Sequence, residues 1–147
     1  MSLDRIFDIA GSGMNAQSVR LNAVASNIAN ADTVSSSIDQ TSRARQAVFA
    51  TLFNEQQQLL GGSLFAPEDQ AGQGVSVLGV VESDAALQAR YEPDHPMANE
   101  EGYVFYPNVN VVEEMANMMA ASRAYQTNVE IMNTAKSMLQ RVLTLGQ

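Results

Sequence analysis

Residues 111–145 read VVEEMANMMAASRAYQTNVEIMNTAKSMLQRVLTL. Val111, Met118, Tyr125, Met132 and Leu139 recur every seven positions. A second series, Met115, Ser122, Val129, Lys136 and Leu143, is offset by four. Alternating steps of four and three place both series on one face of a helix, the seam of a coiled coil. Pro107 and Asn108 punctuate the start and Gly146 the end. The spacing therefore predicts a helix from about Val111 to Leu145, on the order of 50 Å long. Ser122 and Lys136 on the seam lower stability but can fix register or partner choice.

The other end of the chain repeats the pattern. Phe7, Met14, Leu21 and Ile28 form one seven-residue series, and Leu3, Ala10, Gln17 and Val24 the other. Ser2 suits an N-cap, and the Ser26–Thr33 stretch ends the pattern in residues that favour turns. Gly11 and Gly13 weaken the helix locally and permit either close approach of another backbone or a kink. Two helices cannot bury both their seams and the flanking Ile6, Ile9, Val19, Val112, Met119, Val142 and Leu145. Helices this long on so small a protein lack the core of a stable monomer, so they are expected to become well ordered only with neighbouring chains. The expected assembly interface is Leu3, Phe7, Met14, Leu21, Val24, Ile28, Val111, Met115, Met118, Tyr125, Val129, Met132, Leu139 and Leu143. Met118→Asp would then place an unpaired charge in the packed layer and block assembly while leaving export intact.

Between these ends the period changes. Gln46–Phe53, Val75–Val81, Leu87–Tyr91 and Tyr103–Tyr106 read as strands, with loops expected over Val34–Arg43, Gln56–Gly74 and Glu92–Gly102. The expected fold class is α+β: long N- and C-terminal helices pairing as a coiled coil, with a small β unit of about four strands inserted between them. Residues 1–32 and 108–147 would form one discontinuous helical domain. Residues 33–107 would form a β-rich middle module with mobile loops.

Charge follows the same division. The chain has 147 residues and a net charge of −8, with 16 Asp and Glu against eight Lys and Arg. The two ends are each neutral, and residues 31–107 hold eleven acids and three bases, so the whole imbalance falls there. The ends are thus suited to packing against protein and the centre to facing solvent. A chain of this charge without a basic patch is repelled by nucleic acid and by anionic membranes. No apolar run reaches the length of a transmembrane helix. Asp4 and Asp8 interrupt the N-terminal apolar stretch, so no Sec-type signal peptide is expected.

Candidate chemistry is sparse. With no cysteine, thiolate catalysis, disulfides and zinc–cysteine sites are excluded. The only histidine, His95, lies in Glu92-Pro93-Asp94-His95-Pro96, which reads as a rigid turn; a metal site would need a second cluster. Gly72-Gln73-Gly74 precedes a strand instead of following one, so it is not a phosphate loop. Met115, Met118 and Met119 could form a soft binding surface, but a stripe in a packed seam explains them more simply. No enzyme and no cofactor or metal is expected. A hydrolase built on the acidic centre has only its carboxylate count in support.

Several linked motifs resemble one family. They are Ala10-Gly11-Ser12-Gly13-Met14-Asn15-Ala16-Gln17, Arg20-Leu21-Asn22, and Ala25-Ser26-Asn27-Ile28-Ala29-Asn30-Ala31 at the N-terminal end. Further along come Tyr91–Pro96, Gly102-Tyr103-Val104, Pro107–Met115, Ala121–Asn128, Ala135–Met138 and Leu143–Gly146. Together they resemble the bacterial flagellar rod, hook and axial proteins, in particular the proximal-rod branch. Residues 34–73 match poorly, and Asp32-Thr33-Val34-Ser35 replaces the Thr-Pro-Gly-Tyr turn many axial proteins carry. The resemblance implies a structural subunit of the rod, the drive shaft that crosses the periplasm. Its terminal helices would pack as an inner tube around the export channel, with the middle module further out. The implied partners are copies of the chain, homologous rod proteins, the membrane ring complex and the flagellar export apparatus, through which the chain would pass unfolded without a cleavable signal. The alternative is a secreted helix-binding protein that uses the same seams without polymerising.

Overall fold

A computed structural model describes residues 3–52 and 73–145. Helix α1 spans Leu3–Asn30 and helix α2 spans Val111–Leu145. Among the described residues between them are a 3-10 turn at Ile38–Gln40 and four strands: β1 (Arg45–Leu52), β2 (Gly74–Glu82), β3 (Gln88–Tyr91) and β4 (Tyr103–Tyr106). The fold is α+β, with long terminal helices that contact each other and small sheets inserted between them. The bounds of α2 and of β4 coincide with those expected from the sequence; β1 starts one residue earlier, β2 is one residue longer at each end, and β3 starts one residue later. The expectations for Ser2, Phe53, Gly146 and most of the Gln56–Gly74 loop fall outside the described residues.

The four strands do not form one unit. They pair as two separate ribbons, β1 with β2 and β3 with β4. In the second, Gln88 stands opposite Tyr106 and Tyr91 opposite Tyr103, antiparallel. The outer edge of β4 is already occupied, because Ser35 exchanges both backbone hydrogen bonds with Phe105 at 3.1 and 3.0 Å. A segment with no strand pattern of its own thus caps the edge that a third strand would have used.

The chain divides into two compact units. One comprises Met1–Ser18, Phe49–Leu78 and Ser122–Gln147, the other Val19–Val48 and Gly79–Ala121. Both helices and the β1–β2 ribbon run through both. In the first unit Ala10, Ala16 and Ala135 are buried. A Cβ on Gly13 would stand 2.9 Å from the Asn128 amide nitrogen, so the missing side chain admits Asn128 of α2 against α1. Gly11 has open space where its Cβ would be, and no such contact depends on it. The Ser12 hydroxyl donates to the Ile9 carbonyl at 2.9 Å and accepts from the Val75 N–H at 3.1 Å, fastening β2 to α1. In the second unit Val104 and Pro107 are fully buried, and Ala23, Val24, Ala31, Ala44 and Ala121 are buried as well.

Candidate functional site

The helix seams divide by side-chain size. In the second unit the buried residues are Ala23, Val24 and Asn27 of α1 with Glu114 and Ala121 of α2. In the first they are Ala10 and Ala16 with Ala135. Most large residues expected on the seam lie at its margin: Phe7, Met14, Leu21, Ile28, Val111, Met118, Val129, Met132 and Leu139 are half-buried. Val24 is buried, whereas Met115, Tyr125 and Leu143 are exposed; Leu3 lies in α1, but its side chain is outside the described set. Of the N-terminal series, the one through Ala10, Gln17 and Val24 runs deepest. On α2 the deepest line, Glu114–Ala121–Asn128–Ala135, is a seven-residue series that hydrophobic periodicity passes over because its members are small or polar.

Outside that line the helices keep much apolar surface. In the second unit Val112 is 76% and Met119 58% exposed, with Met115 beside them on α2. In the first unit Ile131, Met138, Val142 and Leu143 are exposed on α2, and Leu78 on β2 is 68% exposed. The Gln17 side-chain oxygen, by contrast, is buried with no hydrogen-bond partner among the described residues.

Polar groups converge at one place in the second unit. Asn27 accepts from the Arg45 N–H at 2.7 Å and donates to the Arg45 carbonyl at 2.8 Å and to Glu114 Oε2 at 3.2 Å. Asn108 accepts from the Ala44 N–H at 2.8 Å and donates to the Ala85 carbonyl at 2.9 Å. Arg20 Nη2 donates to Asn117 Oδ1 at 2.9 Å, a second polar link between α1 and α2. Asn110 accepts from the Val112 N–H at 3.1 Å as the N-cap of α2. Sequence reasoning singled out none of these asparagines for a contact; the clustering of Asn just before and just after the ends of the helical patterns was the available signal.

The loop between β3 and β4 is self-bonded. His95 Nδ1 accepts from the Met97 N–H at 3.1 Å, and the Asn99 side-chain oxygen accepts from the N–H groups of Glu101 and Tyr103. His95 therefore serves its turn. Among the described residues no group of three or more His, Cys, Asp and Glu stands close enough to hold a metal ion. A cleft of about 270 Å³ opens beside Asn27, lined by Ser26, Asn30, Arg43 and Arg45 among others.

Comparison with known proteins decides what these surfaces belong to. A family model described as "Flagella basal body rod protein" matches residues 7–34, and one described as "Flagellar basal body rod FlgEFG protein C-terminal" matches residues 100–145. The flagellar basal-body rod protein FlgC of Salmonella typhimurium is 50% identical over 147 residues, covering all of both chains. FlgC of Escherichia coli O6:H1 is likewise 50% identical over the full length of both. FlgC of Borreliella burgdorferi is 34% identical, covering all of this chain and 99% of its own. This chain belongs to the FlgC family of flagellar basal-body rod proteins. It is a structural rod subunit, and its location is the rod of the flagellar basal body. Among the described residues no helix is long and apolar enough to cross a membrane. The two family models match the ends and leave 35–99 unmatched, a stretch that takes in nearly all of the poorly resembling residues 34–73 and also the Tyr91–Pro96 motif.

Proposed function

We propose that this FlgC-family chain polymerises through its terminal helices into the rod wall, transmitting torque and lining the export channel. Residues 1–32 and 108–147 supply the packed helical layer, and the acidic module 33–107 stands further out. Its neighbours are copies of itself and homologous rod proteins, with the membrane ring complex and the export apparatus as further contacts. The observation that carries the reading is the sorting of side chains by size. The helices pack on each other through alanines and polar residues, leaving methionines, valines, leucines and Ile131 at the margins or in water. Burying a large apolar side chain is worth about 1.5–3 kcal/mol, so such margins favour further helices as neighbours. A shaft needs no chemistry, and close packing of interlocked side chains resists shear.

Met119 provides the test, because it is exposed in the single chain and a charge there leaves the chain's own packing alone. Met119→Asp is expected to yield a folded, exported chain that fails to restore filaments in cells lacking their own copy. Met118→Asp, at the half-buried neighbour, is expected to do the same. Normal swimming with both variants would overturn the helix-packing reading. Cosedimentation with homologous rod proteins distinguishes polymerisation from a one-to-one helix-binding role.

A further inference from the structure

The dipeptide Ala44-Arg45, at the entry to β1, joins a buried residue to an exposed one and carries four backbone polar groups, each of them paired. Asn27 takes two of them: its side-chain oxygen accepts from the Arg45 N–H, and its amide nitrogen donates to the Arg45 carbonyl. Asn108 takes the third, accepting from the Ala44 N–H, and the Ser83 N–H donates to the Ala44 carbonyl at 2.8 Å. To Arg45 the Asn27 amide thus presents the donor–acceptor pair that a neighbouring strand would present, but from a helix.

The same two side chains reach further. The Asn27 amide also donates to Glu114 Oε2 on α2, and the Asn108 amide donates to the carbonyls of Ala85 and, at 3.4 Å, Ser83 beyond β2. Asn27 is 3% exposed and Ala44 6%. So α1, α2, the start of β1 and the exit of β2 meet at one point. No other side chain serves as well at Asn27: Asp lacks the donor, Gln is a methylene longer, and Ser cannot span both groups.

We propose that Asn27 and Asn108 are the positioning residues of a load-bearing joint, which holds the middle module in register on the helices so that torque on one is delivered to the other. This rests on the rod reading. Hydrogen bonds aimed at two consecutive residues resist sliding. A shift of β1 by one residue, about 3.4 Å, breaks all three bonds from the two asparagines at once. Apolar packing around Ala44 would tolerate such a shift far better, because it is not directional.

The test begins with amide exchange on the purified full chain. Asn27→Ala is expected to speed exchange of the Arg45 amide about tenfold or more, while the Leu21 and Met118 amides in mid-helix keep their rates. Asn27→Asp sets a carboxylate against both the Arg45 carbonyl and Glu114, and should be at least as damaging. Adding Glu114→Gln returns a donor to that carboxylate and should recover about tenfold of the lost protection. Unchanged Arg45 exchange in Asn27→Ala, or no recovery with Glu114→Gln, would overturn the joint.

Torque is then measured on single flagella of cells making Asn108→Ala or the Asn27→Asp/Glu114→Gln pair, as medium viscosity rises. Asn108→Ala should lose torque at high load while building filaments, and the compensated pair should stay closer to the unaltered chain. Filaments in reduced number, each with undiminished torque, would mean the contacts serve folding alone, and the load-bearing role would fall. Filament restoration by the unaltered chain is the control that separates the two readings. Its failure counts against the rod assignment, whereas the exchange result is read on the soluble chain.

Discussion

Gln17 and Gly102 show what single side chains settle. The Gln17 oxygen is buried without a partner among the described residues, a situation that costs about 1–3 kcal/mol. Gln17→Leu removes the orphan at similar volume, and thermal unfolding of the chain should show a gain of roughly 1 kcal/mol. The same variant should impair rod assembly if the polar group sets register, as single polar residues do in coiled coils. Gly102 is a different case. Its φ of +83° lies in the left-handed region, and a Cβ there would stand 2.8 Å from Tyr91 Cε2. Gly102→Ala is expected to lower stability by about 1–2 kcal/mol in a denaturant titration. It would also disturb the edge-on Tyr91–Tyr103 pair, whose ring centroids are 5.4 Å apart.

For the elements, ends were as legible as interiors. The bounds of α2 were legible because Pro107 and Asn108 punctuate the end of the preceding strand, while the cap itself, Asn110, was not singled out. Asn110 caps it through the Val112 N–H, and the Glu114 N–H bonds to the Asn110 carbonyl at 2.9 Å. Asn110→Ala should therefore cost about 1 kcal/mol, read by circular dichroism during thermal melting, whereas Asn110→Ser should restore most of it. Which face of each helix turns inward was less legible. Periodicity ranks residues by hydrophobicity, so it selected Met115, Tyr125 and Leu143, which are exposed, and passed over Ala121 and Ala135, which are buried. Two helices that approach closely need small side chains between them, and the larger residues are displaced to the margins. The pairing of strands was likewise hidden. Ser35 closes the outer edge of β4 by backbone bonds alone, and no side-chain pattern announces it.

For the whole molecule, the polar contacts between the helices are unevenly placed among the described residues. Those between α1 and α2, Arg20–Asn117 and Asn27–Glu114, lie in the unit built from Val19–Val48 and Gly79–Ala121. Limited proteolysis of the dilute chain is expected to trim both termini and to slow near residues 19 and 121. The Arg20–Asn117 and Asn27–Glu114 contacts protect the helical turns that carry them. Rapid loss of Asn27 or Glu114 under the same digestion would show that the contacts do not hold the turns in solution. The acidic centre does not enter this balance; its charge keeps dilute chains apart and leaves the neutral ends to bring them together.

The sequence by itself determined the two long helices, the β character of the middle and the family, because each is written in local periodicity or in runs of adjacent residues. Only the tertiary structure decided which helix face is internal, how the strands pair, and that Asn27 and Asn108 meet at Ala44-Arg45. Those outcomes depend on residues 18 to 87 positions apart satisfying one another's hydrogen bonds, and no local pattern specifies such a partner.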